Sequence, residues 1–558
     1  METAGDDDRS VIRKKAKGTT GIHVSHSDSN INSFVTNLLN SFNLLEVDPF
    51  RQSDSDKELV DRVIMVYNLL WRKLTQIDET KLALPGTKKR PDLGAGAICM
   101  NKGVRANTKK RFESVPGVDI GDIFFFRFEL CLVGLHFPSI AGIDFMGVPS
   151  SEYEEPVAVS IVSAGGYEDE GDDGEVLIYS GAGGAQRKDK PQTDQQLTRG
   201  NLALEKSLHR GDKVRVIRGI KDCQYTTGKV YLYDGLYTIH ESWIEKEKSG
   251  CDVFKYKLFR VPGQPEAFTL WKSIQQWKKS HGPITRVGVN VILPDLSSRA
   301  EMLPVSLVND VDDEKGPASF TYTRTLKYKN PFPLTKSSST CTCTDGCQPG
   351  SNCPCLQKNG GYMPYTPLGV LLTHNTVIHE CGNSCRCLNT CRNRISQMGL
   401  KIRLEVFKTK DRGWGLRSWD PIRSGGFICE YAGVVIEGRK GIDPDDDYVF
   451  DATRVFEPVE SVTSDEHAKF PFPLVISAKK EGNVGRFMNH SCSPNVYWQP
   501  VVCEYQHDAY FHVGFYAIKH IPPMQELTYS YGKGRVDKGG PRRKKCLCGS
   551  PRCKGSFY

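Results

Sequence analysis

Gly482-Asn483-Val484-Gly485-Arg486-Phe487-Met488-Asn489-His490-Ser491-Cys492-Ser493-Pro494-Asn495 is the stretch on which the reading of this chain turns. It sets an Asn-His pair and a cysteine between an arginine and a Ser-Pro-Asn turn. Further on come Glu526-Leu527-Thr528-Tyr529-Ser530-Tyr531-Gly532 and a small cysteine cluster, Cys546, Cys548 and Cys553.

Around these motifs the totals are those of folded protein. The chain has 558 residues, 39% hydrophobic and 25% charged, too long for one core, so three or four domains are expected. Its most apolar run, Ile123 to Phe137, is broken by Arg127 and Glu129 and is too short to span a bilayer. The first residues are acidic where a signal peptide would be basic and then apolar, so an intracellular protein without a membrane partner is expected. Nineteen cysteines in a reducing compartment point to metal thiolates rather than disulfides, because they cluster. The net charge of +8 permits an anionic partner without requiring one. Arg13-Lys14-Lys15 reads either as part of a nuclear address or as solvated surface.

The two stretches quoted first resemble the signature of SET-domain protein lysine methyltransferases, and from Lys401 the motif order agrees. Arg412-Gly413-Trp414-Gly415-Leu416 comes first; its glycines permit a tight turn where backbone meets a charged cofactor and an indole packs on it. Cys429-Glu430-Tyr431-Ala432-Gly433 follows. The resemblance implies that Arg412, Gly413, Trp414, Tyr448, Arg486, Asn489 and His490 hold S-adenosylmethionine. In that chemistry a lysine amine attacks a sulfonium methyl group in line, and it must be neutral although free lysine has a pKa of about 10.4. A narrow, apolar, tyrosine-lined channel lowers that value by desolvation and orients the amine. Tyr431, Tyr448, Tyr529 and Tyr531 are available; by the resemblance Tyr531 is the catalytic hydroxyl and Tyr431 orients the amine. Tyr529 stands where some relatives have phenylalanine, and its extra hydroxyl leaves less room for a third methyl, so a mono- or dimethyl product is expected. Ser530 departs from an acidic residue common in relatives.

Between Asp443 and Glu466 nine acidic residues face one arginine, Arg454; the run reads as an acidic lip for a basic peptide or as solvated loop. Cys546, Cys548 and Cys553 need a fourth ligand, and Cys492 is the candidate. A zinc ion there would fold the tail over the channel.

Cys341, Cys343, Cys347, Cys353, Cys355, Cys381, Cys385, Cys387 and Cys391 do not divide into independent tetrahedral sites. Six terminal and three bridging thiolates do satisfy the twelve ligand positions of three zinc ions. The pattern resembles the pre-SET domain, which contains such a triangular cluster. With every position taken by thiolate the cluster is structural.

Upstream the texture is β-rich. Ala164-Gly165-Gly166-Tyr167-Glu168-Asp169-Glu170, Tyr179-Ser180-Gly181, Arg199-Gly200-Asn201-Leu202-Ala203-Leu204 and Tyr233-Asp234-Gly235 occur in that order. They resemble the SRA (YDG) domain, a curled β-sheet module that binds methylated DNA. Reading one modified base requires turning it out of the stack and recovering stacking on aromatic rings. The resemblance implies that Tyr167 and Tyr179 sandwich the base, that Asp169 or Glu170 meets its edge, and that Gln186–Gly200 grips phosphate.

Before that, Ile31, Phe34, Val35, Leu38, Leu39 and Phe42, then Leu59, Val60, Val63, Ile64, Tyr67, Leu70, Trp71 and Leu74, recur at helical spacing. Two helices supplying a scaffold or a homodimer surface are expected.

The expected fold is mainly β and multidomain. A disordered tail (1–29), a two-helix region (30–76) and a basic linker (77–114) precede a curled-sheet SRA domain (115–262). A connector (263–338), a three-zinc pre-SET cluster (339–399), a knotted β-sheet SET domain (400–532) and a zinc-binding post-SET tail (542–558) follow. This order resembles the plant variegation-suppressor-homologue class of histone H3 lysine-9 methyltransferases. The resemblance implies a nuclear chromatin enzyme with the histone H3 tail and methylated DNA as partners. The competing expectation is a non-catalytic methyl-DNA reader with a retired SET domain, whose mark, a broken cofactor motif or missing tail cysteines, is not seen.

Overall fold

The computed structural model describes residues 26–42, 55–80, 90–149, 154–163, 174–184, 192–221, 228–279, 286, 289–334, 340–436, 443, 445–452, 474–532 and 544–557. They fall into two compact units, 1–46 and 47–558. In the first, the apolar periodicity forms helix α1 (His26–Ser41), with Val35, Leu38, Leu39 and Phe42 buried.

The second unit begins with α2 (Asp56–Thr80), whose acidic first turn (Asp56, Glu58) complements the helix dipole. The segment expected as a linker contains a third helix, α3 (Pro91–Asn101), opened by proline at its first position. Gly94 and Gly96 lower its propensity and hide it from a periodicity search. Gly96 is there for close approach: a Cβ would sit 2.2 Å from the Phe128 ring.

The β-rich region is a curled sheet. Its elements are β1 (Ile123–Phe124), α4 (Arg127–Val133), β2 (Ile143–Pro149), β3 (Glu154–Ser163), β4 (Val176–Ser180), α5 (Arg199–Arg210), β5 (Lys213–Lys221), β6 (Lys229–Lys246) and β7 (Asp252–Arg260). Among the described residues the strand order is β2-β3-β5-β6-β7-β4, with β1 on β6. Strands β3 and β5 run parallel, and α5 is their crossover. The Tyr233-Asp234-Gly235 motif proves to be a bulge: Val216 pairs with Gly235 and Ile217 with Tyr233, leaving Asp234 as the extra residue. Its carboxylate turns inward to accept from Arg218 Nε (2.8 Å) and the Tyr237 hydroxyl (2.7 Å), so the motif braces the fold.

After α6 (Phe268–Lys279), the stretch read as connector is woven into the catalytic sheets. Strands β8 (Asn290–Leu293) and β9 (Ser306–Asn309) join β13 (Leu404–Lys408) and β14 (Trp414–Ser418) in the order β14-β13-β9-β8. β10 (Thr321–Tyr322) runs parallel to β19 (Glu481–Gly482), and β11 (Phe332–Pro333) pairs with β22 (Asp508–Ala517). Strands of two to four residues paired to distant partners leave no periodic trace, hence the reading as plain connector. β12 (Ile378–Glu380), β15 (Phe427–Glu430) and β21 (Val496–Tyr505) complete the sheet around β22; β16 (Val434–Ile436), β17 (Val449–Asp451) and β18 (Val475–Ser477) form another.

The knot lies in the opening motif. β20 (Asn489–His490) pairs in parallel with β23 (Thr528–Tyr529). The Asn495 amide donates to Glu526 O (2.8 Å) and its oxygen accepts from Thr528 N (2.9 Å), fixing the later segment against the earlier loop. One core of about thirty side chains, among them Val406, Leu416, Ile428, Met488, Phe515 and Leu527, backs this crossing.

Helix α2 touches every part of its unit. Val60 and Ile64 enter the cluster of Phe124, Leu130 and Ile217; Arg72 donates to Leu371 O (3.0 Å) and Ser424 Oγ (2.7 Å); Glu79 pairs with Arg392 (2.8 Å). Asp61 binds Lys519 (2.6 Å) and Glu58 binds Arg552 (2.7 Å). The apolar face of α2 is thus used inside the chain as a scaffold.

Candidate active site

The turn that opens the site is built by β13 and β14. Gly413 has φ +69°, where a Cβ would be strained. Thr409 Oγ1 accepts from Arg412 N (2.9 Å) and donates to Gly413 O (2.8 Å), closing the loop. Asn489 Nδ2 donates to Trp414 O (3.2 Å), so the turn and the Asn-His motif meet as expected.

Asn483 organises the other wall. Its amide donates to Glu430 O (2.8 Å), and its oxygen accepts from Gly485 N (3.0 Å), bringing Tyr431 beside the short helical turn that carries Arg486. The Arg486 guanidinium lies 3.8 Å from the Tyr448 ring centroid and 4.1 Å from that of Phe320. Its Nε and Nη1 are buried with no hydrogen-bond partner among the described residues. A buried cation with two orphan donors has hydrogen-bonding capacity left for an anionic group, and the carboxylate of S-adenosylmethionine fits it.

Tyrosines gather next to it. The Tyr431 hydroxyl donates to Tyr448 O (2.6 Å) and that of Tyr531 to Met488 O (2.8 Å). The Tyr529 and Tyr531 ring centroids are 4.7 Å apart, and Tyr529 also packs on Phe515 (4.9 Å). Burial raises Tyr431 well above the ordinary phenol value, so it remains a neutral donor. A narrow cleft opens between Phe450, Asp451, Trp498, Tyr529 and Tyr531.

His490 joins the cleft to the tail. Burial, aided by Lys554, lowers it to about 4, so the ring is neutral near pH 7. Nδ1 accepts from Tyr531 N (3.2 Å), which leaves the Nε2 proton facing Cys492 Sγ at 3.5 Å. The sulfurs of Cys492, Cys546, Cys548 and Cys553 all lie within 4.8 Å of one another, the spacing one tetrahedral zinc needs. Phe557, just beyond, lies on His490 and Tyr531.

The nine upstream thiols also come together. Three groups share sulfurs: Cys341, Cys343, Cys347, Cys353; Cys341, Cys355, Cys381, Cys385; and Cys341, Cys347, Cys381, Cys387. Cys391 Sγ completes the last, accepting from Cys347 N at 3.3 Å. The recurrent trio Cys341, Cys347 and Cys381 suits the bridging positions, leaving three terminal pairs for three zinc ions.

The DNA pocket is seen in part. Tyr179 sits on β4, 8% exposed, its ring among Ile143, Ile161 and Tyr256. Tyr167, Asp169 and Glu170 lie outside the described residues, as do residues 186–191 of the expected phosphate loop; residues 192–200 are described, and Arg199 begins α5. A Cβ on Gly142 would meet the Tyr179 hydroxyl at 2.7 Å, and two residues before that glycine the same loop carries a residue that no motif signalled: Ile140, 93% exposed. Arg127 holds that loop, donating to Pro138 O (3.1 Å) and Ser139 O (3.3 Å).

The acidic lip is partly neutralised. Asp443 binds Lys479 (2.8 Å), Asp446 accepts from Tyr448 N (2.8 Å), and Asp447 pairs with Lys544. Glu457, Glu460, Asp465, Glu466 and Arg454 lie outside the described residues.

Comparison with known proteins agrees with this geometry. Residues 111–264 match the SAD/SRA domain, 297–394 the Pre-SET motif and 413–532 the SET domain. Histone-lysine N-methyltransferase, H3 lysine-9 specific SUVH1 of Nicotiana tabacum is 61% identical over 548 residues, 98% of this chain and 76% of its own. The chain belongs to the SUVH family of histone-lysine N-methyltransferases. Within the SUVH family, Arabidopsis thaliana SUVH6 in complex with SAM matches at TM-score 0.76 and 37% identity, over 90% of this chain and 100% of that one. KRYPTONITE in complex with mCHH DNA, an H3(1–15) peptide and SAH matches at TM-score 0.69 and 33% identity, over the same shares.

Proposed function

We propose that this SUVH protein transfers methyl groups from S-adenosylmethionine to lysine 9 of histone H3, and that its SRA domain directs it to methylated DNA in nuclear chromatin. The convergence of Arg486, Tyr448 and Asn489 with the hydroxyls of Tyr431 and Tyr531 carries the reading.

The bound donor supplies an electrophilic methyl on sulfonium. Arg486 and the Arg412–Trp414 turn seat it, and the apolar rings of Phe450, Trp498 and Tyr529 exclude water from the channel. In that dry channel the target ammonium loses its proton more readily, because burial disfavours charge. Tyr431 and Tyr531 then hold the neutral amine in line. The pinned tail closes the channel over His490.

At the DNA end, Tyr179 with Tyr167 would stack a flipped base, Asp169 or Glu170 would accept from its exocyclic amine, and Ile140 would enter the stack as an apolar wedge.

The test is methyl transfer to histone H3 peptides by wild type and Tyr531→Phe, alongside binding to methylated and unmethylated duplexes. Wild-type turnover with a loss of about 100-fold or more in the variant is expected. Selective binding of methylated duplex without any donor uptake would leave only a non-catalytic reader.

A further inference from the structure

Two carboxylates converge on the turn that opens the cofactor cleft. Glu526, on the strand leading to the catalytic tyrosine, accepts from Arg412 Nη2 through one oxygen (2.7 Å) and from Asn489 Nδ2 through the other (3.0 Å). Its backbone is fixed by the Asn495 amide, and Leu527 N donates to Leu416 O (2.7 Å). Gly415 leaves room for it: a Cβ there would lie 3.1 Å from Glu526 Oε1. One half-buried carboxylate therefore ties together three segments far apart in sequence.

Glu314 comes from the opposite direction, on the loop after β9. It accepts the indole N–H of Trp414 (3.2 Å) and pairs with Lys408, whose ammonium lies 5.4 Å from the Trp414 ring centroid. The loop is preset: Asn309 Oδ1 accepts from Val311 N (3.0 Å) and Asp312 N (3.1 Å), and Asn309 Nδ2 donates to Glu314 O (2.9 Å). Lys408 is thus clamped between Asp312, Glu314 and the indole.

We infer that Glu526 and Glu314 are positioning residues of the methyl-donor pocket: Glu526 fixes Arg412 and Asn489, and Glu314 fixes the Trp414 ring. The inference rests on the reading of this turn as the donor site. Each carboxylate acts through groups read as donor contacts and removes freedom from them, so that those groups are ordered by the fold itself. Glu526 is the stronger of the two, because both its oxygens are engaged in partly buried, charge-assisted bonds. Glu314 is 44% exposed in its side chain and works through a screened surface pair.

The experiment is calorimetric titration of zinc-loaded full-length protein with S-adenosylhomocysteine, with donor KM and kcat measured on an H3 peptide. E526Q, which keeps the shape and loses the charge, is expected to weaken affinity roughly 10-fold. It should raise donor KM in parallel, with peptide KM, zinc content and methylated-duplex binding unchanged. E314Q is expected to cost about threefold, and that cost should vanish in a Trp414→Phe background, where there is no indole N–H to fix. A folded E526Q that binds S-adenosylhomocysteine as wild type does would overturn the role of Glu526. An undiminished E314Q effect in the Trp414→Phe background would overturn that of Glu314. Failure of the wild type itself to bind would instead remove the donor-site reading.

Discussion

Phe557 lies face to face with His490, ring centroids 4.7 Å apart and planes 22° from parallel, and meets Tyr531 edge-on at 5.4 Å. This aromatic of the tail therefore roofs both the imidazole of the Asn-His motif and the Tyr531 phenol proposed as catalytic. Such contacts are worth about 0.5–1.5 kcal/mol beyond area burial. Phe557→Ala should lower kcat/KM on an H3 peptide by about 3- to 10-fold while the protein keeps its zinc. Unchanged kinetics would remove the roof.

The roof stays in place only if its anchor holds. Cys553 is one of four sulfurs within 4.8 Å, and the two residues after it contact the cluster: Lys554 N donates to Cys492 Sγ (3.3 Å) and Gly555 N to Cys553 Sγ (3.4 Å). Cys553→Ser should release one zinc of four and abolish methyl transfer. Binding to a methylated duplex should persist, because the SRA sheet shares no ligand with this site. Metal analysis paired with the two assays checks it; retained activity without the fourth zinc would count against the tail as a channel wall.

The cluster of nine thiols makes a different demand. Structural zinc contributes on the order of 10 kcal/mol per ion in small zinc domains, so a strong chelator should unfold residues 341–391. Arg392, which closes on Glu79 of α2, follows immediately. Loss of the cluster should therefore also loosen α2, seen as faster amide exchange along Asp56–Thr80. Protection of α2 that survives complete zinc removal would contradict this coupling.

On the proposed reading, Tyr529 limits the degree of methylation. Its ring is 6% exposed and bounded by Phe450 (6.1 Å), Phe515 (4.9 Å) and Tyr531 (4.7 Å), so the space beside the target amine is narrow. Tyr529→Phe removes only the hydroxyl oxygen and so leaves more room beside the target amine. The variant should shift product from mono- and dimethyl toward trimethyl-lysine at comparable total turnover, read by mass spectrometry. Trimethyl-lysine as the main wild-type product would reject the assignment.

How much of this was legible in the sequence depends on the kind of signal. Cys492 and the tail cysteines could be joined on paper because tetrahedral zinc demands a fourth ligand, and their sulfurs do meet. Motif order grouped Tyr431, Tyr531, Arg486 and Asn489, and the fold brings their segments together through Asn483 and the β20–β23 pairing. Glu526 and Glu314 were not legible: a carboxylate that acts by holding an arginine or an indole leaves no spacing rule. Phe557 was invisible because a lone aromatic near a chain end has no partner until the fold supplies one. Helix α3 was hidden by glycines that serve packing against Phe128, and β8 to β11 by their shortness.

The junction of α2, the SRA domain and the SET domain gives the last prediction. Glu129 on α4 is fully buried. It accepts from Asn68 Nδ2 (2.8 Å), from Phe125 N (2.7 Å) and Phe126 N (3.0 Å), and pairs with His520 Nε2 (2.8 Å). Burial alone would raise its carboxyl, but His520, Asn68 and the amide donors outweigh that and hold it below the ordinary carboxylate value. A depressed folded value means that the charged form stabilises the native state. That contribution is present above the unfolded carboxylate pKa and is lost as pH falls through the lower folded one. Thermal stability should therefore fall on acidification below about pH 4.5, the ordinary value for glutamate, and part of that slope should vanish in Glu129→Gln. Glu129→Ala should cost about 3–5 kcal/mol at pH 7, since it strands a histidine and two backbone donors in a dry interface. Calorimetry of wild type and both variants between pH 3.5 and 7, values set by the usual carboxylate range, checks the sign. A Glu129→Gln melt as steep in acid as the wild type would place the acid sensitivity elsewhere.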